Sequence, residues 1–204
     1  MLTYVEEEIY DHLGEYDAIL VGTNTYCTLS QGGLQFHMKL NHPYVDEANM
    51  KTKYGDKAKM GTIVECPPDV EGEPLVVLCY ITFGYNFRPD ISDDYLSYES
   101  LEKCLSIVNR NYGGKRLACP LLGSSRFDGN GDGARIREIF GRHNANIDLT
   151  VYDFKQKSRA EMMKEVYDAE QEARKTDKDK YYDMVRERKR LAEERYKRNK
   201  HRRY

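Results

Sequence analysis

The fold is set by the stretch Leu117-Ala-Cys-Pro-Leu-Leu-Gly-Ser-Ser-Arg-Phe-Asp-Gly-Asn-Gly-Asp-Gly133. Its apolar start predicts a buried strand that ends at Leu122, and a loop of glycine, serine and small polar residues follows. A helical pattern comes next, with Ile136, Ile139 and Phe140 on one face. A strand, a glycine-rich loop and a helix start leave backbone N–H groups that bind anions, most often phosphate. An ordinary strand-to-helix connection is the alternative interpretation.

A second segment of the same kind lies near the N-terminus. The run Asp17-Ala-Ile-Leu-Val-Gly-Thr23 is rich in β-favouring residues without polar alternation, which predicts a strand buried on both faces. The strand ends at Asn24, and a loop runs from there to Gln31. Gly32-Gly33 then opens a helical pattern over residues 34–40. Two strand–loop–helix units in one chain favour anion binding over an ordinary connection.

The remaining segments alternate between strand and helix patterns. Further strands are predicted at residues 2–5, 60–66, 74–83 and 147–154, and further helices at residues 45–54 and 98–108. This alternation predicts a three-layer α/β fold, in which a mixed, mostly parallel sheet lies between helices. Ligands of such sheets bind at the carboxyl ends of the strands. Because both glycine loops follow strands directly, both are predicted to open on that edge.

The charge distribution divides the chain of 204 residues into two parts. From Lys155 onward there are 18 Lys and Arg against 11 Asp and Glu, whereas the rest has 14 against 23. We therefore predict an acidic domain over residues 1–155 and a charged, basic tail over residues 156–204, either helical or partly disordered. Basic residues interleaved with tyrosines can hold phosphate backbones and stack bases, so the tail is a candidate nucleic-acid interface. A merely soluble charged tail explains the composition equally well.

The composition also argues against several classes of protein. The longest apolar run, Leu75 to Ile81, is far too short to span a membrane, and no secretory signal pattern is visible. Five cysteines without a C-x-x-C spacing predict reduced, mostly buried thiols in a cytoplasmic protein, with no structural zinc and no cofactor. A redox role for Cys27, close to the first glycine loop, has no charged partner in the sequence to support it.

Taken as an ordered set, these motifs resemble a macro domain, the ADP-ribose-binding α/β module. The match covers about residues 1–155. The segments that carry the resemblance are Asp17-Ala-Ile-Leu-Val-Gly-Thr-Asn24, Gln31-Gly-Gly-Leu34, Lys59-Met-Gly-Thr-Ile63, Pro74 to Gly84, Pro120-Leu-Leu-Gly-Ser-Ser-Arg-Phe-Asp-Gly129 and Thr150-Val-Tyr-Asp153. The resemblance implies that the chain binds ADP-ribose or a close derivative.

The resemblance also implies a role for each matched position. Adenine would be bound by Glu8 and stacked by Tyr152. The distal ribose would be bound by Asn24 and covered by Phe127. The ribose and the diphosphate would be held by two groups of residues, namely Gln31, Gly32, Gly33 and Leu34 in the first loop, and Gly123, Ser124, Ser125 and Arg126 in the second.

The resemblance implies hydrolysis of ADP-ribose conjugates as the activity. Gly22 and the short Gln31-Gly32-Gly33 run depart from the branch that hydrolyses with an asparagine and a glycine run. The C-terminal half is similar to the terminal ADP-ribose protein glycohydrolase branch, which uses a lysine and an aspartate. Asp128 matches that aspartate, but no lysine occurs between Leu75 and Asp90. Asp128 is thus a candidate general acid or base, with Asn24 as the second candidate catalytic residue.

Other activities remain open at this point. The substrate is protein-linked or nucleic-acid-linked ADP-ribose, or ADP-ribose 1″-phosphate, for which His37 is a candidate base. A packed or exposed histidine explains the helical position of His37 better. Residues 128–133 fit the opening of a calcium loop, but Ile139 stands where that loop needs a carboxylate. A non-catalytic ADP-ribose reader, or a protein that binds nucleic acid through its tail, completes the alternatives.

Overall fold

The computed structural model describes residues 1–29, 33–84, 95–125 and 128–153, together with Arg186 and Arg190. By its internal contacts the chain divides into two compact units, Met1–Phe154 and Lys155–Tyr204. In the second unit only Arg186 and Arg190 are described, and both are helical and exposed. The predicted tail therefore lies almost entirely outside the described residues.

The first unit is built on a six-stranded sheet in the order β1-β6-β5-β2-β4-β3. The four pairings from β1 to β4 are parallel, and only β3 is antiparallel to its neighbour β4. The strands are β1 (Leu2–Val5), β2 (Ala18–Asn24), β3 (Ile63–Cys66), β4 (Leu75–Thr82), β5 (Arg116–Pro120) and β6 (Asp148–Tyr152). The prediction of a mixed, mostly parallel sheet is confirmed.

Helices cover both faces of this sheet. They are α1 (Gly33–Asn41), α2 (Pro43–Met50), α3 (Tyr98–Asn111) and α4 (Gly133–Arg142), with short 3₁₀ helices at Ile9–Glu15 and Lys57–Lys59. Pro43 separates α1 from α2, because α1 ends at Asn41 and Pro43 lies in the first turn of α2, where a missing N–H costs no hydrogen bond. The 3₁₀ helix at Ile9–Glu15 was not predicted from the sequence.

The core consists of two apolar clusters, one on each face of the sheet. All seven residues of β2 are buried, and its first four side chains alternate between the clusters. Ala18 and Leu20 pack with residues of α3 and α4, whereas Ile19 and Val21 pack with residues of α1 and α2. This arrangement explains why β2 has no polar alternation in its sequence, since neither face of the strand meets water.

No helix within the described part of the chain is long and apolar enough to cross a membrane. All five cysteines are free and buried, as the sequence predicts.

Candidate functional site

The residues predicted to bind ligand collect along one edge of the sheet. Because β1, β6, β5 and β2 run parallel, their carboxyl ends share an edge. The candidate residues that the structure describes follow or end these four strands, and they are Glu8, Asn24, Gly33, Leu34, Gly123, Ser124, Ser125, Asp128 and Tyr152. Gln31, Gly32, Arg126 and Phe127 lie outside the described residues.

The loop after β5 touches strand β2 directly. A Cβ atom placed on Gly22 would lie 3.5 Å from Oδ2 of Asp128 and 2.8 Å from the side chain of Ile81. The glycine at position 22 thus accommodates the side chain of Ile81, and the Asp128 carboxyl group lies in ordinary contact distance of the same position on β2. From the sequence, Gly22 was noted only because it stands where the similar macro domains have an asparagine.

The carboxylate of Asp128 organises the second glycine loop. Its Oδ2 accepts a hydrogen bond from the backbone N–H of Gly123 at 2.9 Å. Its Oδ1 accepts from the backbone N–H and the hydroxyl of Ser125, at 2.9 and 2.8 Å. The residue is only 8% exposed, and burial raises the pKa of Asp128 to about 6 although these hydrogen bonds favour the charged form.

Several backbone N–H groups of this loop donate to acceptors inside the loop. Backbone N–H groups of Asp128, Gly129 and Asn130 donate to the carbonyl oxygen of Ser125, at 3.1, 3.1 and 2.8 Å. The N–H of Ser124 donates to the carbonyl of Leu121. The sequence predicted that such groups point outward at an anion. A ligand that used them would have to exchange these internal hydrogen bonds for its own.

Leu96 is a structural residue of this loop that sequence reasoning missed. Cβ atoms added to Gly123, Gly129 or Gly131 would lie 2.6, 2.9 and 2.6 Å from Leu96 side-chain atoms. The Leu96 N–H also donates to the carbonyl of Gly129 at 3.1 Å. Close packing of Leu96 therefore requires the three glycines, whether or not a ligand approaches them. No pattern in the sequence relates Leu96 to a loop about 30 residues away.

Asn24 folds the first loop onto itself. Its side-chain N–H donates to the Thr28 carbonyl at 2.8 Å, and its Oδ1 accepts from the Tyr26 backbone and the Thr28 hydroxyl at 2.9 and 3.1 Å. The residue is 2% exposed. In this structure its side chain holds the turn after β2, and a contact with ribose would compete with that role.

Gly33 is the first residue of α1 and has a φ of +63°, in the region that favours glycine. A Cβ added to Gly33 would meet no atom of the described residues within 4 Å, so with respect to them the space beside it is open. Leu34, by contrast, is buried and belongs to the cluster beneath α1 and α2. Of the first-loop candidates that are described, Gly33 is thus the one placed beside open space at a helix N-terminus.

Tyr152 and Glu8 stand at the ends of neighbouring strands. Tyr152 ends β6, its hydroxyl is 2.8 Å from that of Tyr16, and its ring stacks on His12 at a centroid distance of 5.6 Å. It is 5% exposed, so its ring already has partners on the protein. Glu8 is exposed and precedes the Ile9–Glu15 3₁₀ helix without a side-chain capping bond. Its carboxylate is available to a ligand amino group.

His37 and the calcium alternative can be judged from local geometry. The His37 ring stacks on Tyr10 at 4.7 Å, and burial, followed by the nearby His42, lowers its pKa. These contacts agree with the packed histidine that the sequence favoured at this position. Among the described residues no three His, Cys, Asp or Glu side chains form a group that could hold a metal ion.

Comparison with known proteins tests the fold. No family model matches the chain, and no curated protein matches it. Solved structures do match, among them the macrodomain of Mycobacterium tuberculosis DarG, with a TM-score of 0.56 and 12% identity over 76% of this chain and 99% of that one. The chain has a macrodomain fold.

Two further structures agree with this macrodomain assignment. The macrodomain of Thermus aquaticus DarG matches with a TM-score of 0.55 and 15% identity, over 75% of this chain and 98% of that one. A macrodomain protein from Streptomyces coelicolor matches with a TM-score of 0.52 and 15% identity, over 76% of this chain and all of that one. At these identities the likeness concerns the fold, and the function must be argued from the site.

Proposed function

We propose that the macrodomain of this chain binds ADP-ribose, or a close derivative, at the carboxyl edge of β2 and β5. The observation that carries the proposal is that the second loop lies against β2, the strand that leads into the first loop, since a Cβ on Gly22 would lie 3.5 Å from Oδ2 of Asp128. The N-termini of α1 and α4 follow the same two strands, and helix N-termini stabilise negative charge. The diphosphate of ADP-ribose, which joins adenosine to the distal ribose, suits such an edge.

The proposal extends to hydrolysis of ADP-ribose conjugates, with Asp128 as general base. A pKa of about 6 leaves this carboxylate mostly ionised at neutral pH. Because this pKa lies near the working pH, the carboxylate also accepts a proton efficiently. Within the described part of the chain Oδ2 accepts one hydrogen bond, from the Gly123 N–H, which leaves a lone pair for a water molecule. The water would attack the anomeric carbon of the distal ribose while Asp128 takes its proton. The bond from that carbon to the conjugated group would break, and the leaving group would take a proton from solvent.

Binding is tested by substituting Gly33. ADP-ribose is expected to raise the melting temperature of the wild-type chain through preferential binding to the folded state. Gly33→Leu places a side chain in the open space at the start of α1 and is expected to abolish this shift. Because no atom lies within 4 Å, the fold should lose only about 1–2 kcal/mol, the cost of a positive φ. Calorimetric titration gives the affinity of both proteins.

The control for this experiment is Gly113→Ala, since Gly113 is exposed and a Cβ there also meets no atom within 4 Å. It should bind ADP-ribose as tightly as the wild type. Absence of any ADP-ribose binding by the wild-type chain would refute the proposed function, whatever the variants do.

Hydrolysis is tested by a release assay on ADP-ribosylated protein, on ADP-ribosylated nucleic acid and on ADP-ribose 1″-phosphate. We expect Asp128→Asn to lower the rate of release at least about 100-fold, the usual contribution of a general base. Asp132→Asn is the matched control, because asparagine preserves the N-cap of α4 that Asp132 provides. Equal rates for the Asp128 variant and the control would remove Asp128 from the reaction.

A non-catalytic reader is the second candidate. Both residues predicted to act in catalysis, Asn24 and Asp128, hold their own loops with their side chains. If the chain binds ADP-ribose tightly but releases no product from any of the three substrates, the non-catalytic reader is the better description. Nucleic-acid binding through the basic tail remains a separate proposal, tested by deleting residues 175–204 and measuring salt-sensitive binding to RNA or DNA.

A further inference from the structure

Cys27 has an unusual position among the five cysteines. It lies in the turn after β2, with a φ of +53°, a conformation that residues other than glycine seldom adopt. It is 4% exposed, whereas Cys66, Cys79, Cys104 and Cys119 are all 0% exposed. Residues held in such conformations cluster at functional sites because surrounding contacts must over-determine them.

The tertiary structure supplies the cation that the sequence did not reveal. Nζ of Lys59 lies 3.1 Å from Sγ of Cys27 and 2.9 Å from the hydroxyl of Thr52. It also lies over the ring of Tyr80, 4.6 Å from the centroid. Within residues 1–29, 33–84, 95–125 and 128–153, no carboxylate oxygen is within 4.0 Å of this ammonium group. The nearest group able to take a negative charge is therefore the sulfur.

A buried polar network fixes this pair. The Thr52 hydroxyl is 3.2 Å from Sγ of Cys27 and 3.3 Å from the hydroxyl of Tyr80. The Tyr80 hydroxyl donates to Oδ1 of Asn49 at 2.8 Å. Asn49 is fully buried, and among the described residues its Nδ2 has no hydrogen-bond partner. The network thus holds an ammonium against a thiol.

We propose that Cys27 is a reactive thiol, activated by Lys59, and that peroxides modify it to a sulfenic acid. An ammonium group stabilises the thiolate, which is the nucleophilic form of cysteine. The thiolate sulfur attacks one oxygen of hydrogen peroxide, so the S–O bond forms as the O–O bond breaks. Sulfur loses two electrons, and the departing hydroxide takes a proton from Lys59 or solvent to become water.

The other cysteines provide internal comparisons for this site. Burial raises the pKa of Cys66 to about 12 and that of Cys119 above its usual range, so both stay as thiols. Cys104 donates to the carbonyl of Thr62 at 3.3 Å and is fully buried. Of the five cysteines, Cys27 combines a neighbouring ammonium with a residue exposure of 4%, where the other four are at 0%.

The experiment uses the full chain at pH 7, treated with hydrogen peroxide in the presence of dimedone, which traps sulfenic acids. Peptide mass spectrometry follows the trapped fraction of each cysteine with time. In the wild type we expect Cys27 to react at least about tenfold faster than any other cysteine. Lys59→Gln should slow Cys27 about tenfold, because the neutral amide no longer stabilises the thiolate.

Two control variants separate the charge from other effects. Lys59→Arg keeps the cation and should retain the rate within about threefold, whereas Lys57→Gln, an exposed lysine of the same 3₁₀ helix, should leave it unchanged. Equal rates for Cys27 and Cys66 in the wild type would overturn the proposal without any variant. An unchanged or faster rate in Lys59→Gln, with Cys66 still protected, would overturn the role of Lys59.

Discussion

Replacing Gly129 with alanine is expected to lower the free energy of unfolding by about 3 kcal/mol. The new Cβ would lie 2.6 Å from the carbonyl oxygen of Gly123 and 2.9 Å from Cβ of Leu96. Neither is the end of a flexible side chain, and the Gly123 carbonyl also accepts from the N–H of Gly131 at 2.8 Å. The loop backbone must therefore shift. Urea unfolding followed by circular dichroism measures the loss.

Gly141→Ala is the matched control for this prediction. Gly141 lies in α4, is exposed, and a Cβ there would meet no atom within 4 Å. Alanine should stabilise this helix by about 0.5–1 kcal/mol, since glycine loses more backbone entropy on folding. A Gly129 variant as stable as the wild type would show that Leu96 does not confine the loop. Loss of ADP-ribose binding in the Gly129 variant only would link the loop shape to the proposed site.

The second large effect is a pH dependence of stability that arises from Asp128. Its pKa of about 6 in the folded protein exceeds the usual value of 3.8 for an aspartate. Between these pH values the unfolded chain has released the proton while the folded chain still holds it. Stability from this residue is therefore present below pH 4 and is lost as the pH rises to 6, by about 3 kcal/mol in total.

The comparison that isolates this effect is Asp128→Asn, which cannot ionise. The free energy of unfolding of the wild type, minus that of the variant, should fall by about 3 kcal/mol between pH 3.5 and pH 7. Urea titrations of both proteins at a series of pH values provide the measurement. The opposite slope would mean that the three hydrogen bonds to the carboxylate outweigh its burial, so that its pKa is lowered.

This competition matters for the proposed chemistry. Burial by β2 makes Asp128 a stronger base, whereas the N–H groups of Gly123 and Ser125 weaken it. If burial prevails, the loop supplies a base suited to neutral pH. If the hydrogen bonds prevail, the same carboxylate serves to shape the loop, and the non-catalytic reader becomes the better description. The pH series therefore bears on the choice between enzyme and reader before any substrate is known.

Local patterns predicted most of the fold. The uninterrupted apolar run before Asn24 specified a strand buried on both faces, because such a strand has no side exposed to water. The repeat of Leu101, Cys104, Leu105 and Val108 specified α3, because these positions share one helical face. Because strands alternate with helices along the chain, few sheet topologies are possible, and a mostly parallel sheet is the expected one. Each of these signals lies within about ten consecutive residues.

The contacts that shape the site join residues far apart in the chain, and no local pattern encodes them. Leu96 packs against three glycines of the second loop, Ile81 occupies the space beside Gly22 on β2, and Lys59 contacts Cys27. The periodicity of apolar residues shows which side of a helix or strand is buried, because each buried position favours an apolar side chain whatever its partner is. It carries no information on which distant side chain fills a given space, since that depends on how the sheet and helices pack together. The helices and strands of this protein could thus be predicted from its sequence. The partners of its glycines, of its buried carboxylate and of the Cys27 thiol are set by packing in three dimensions.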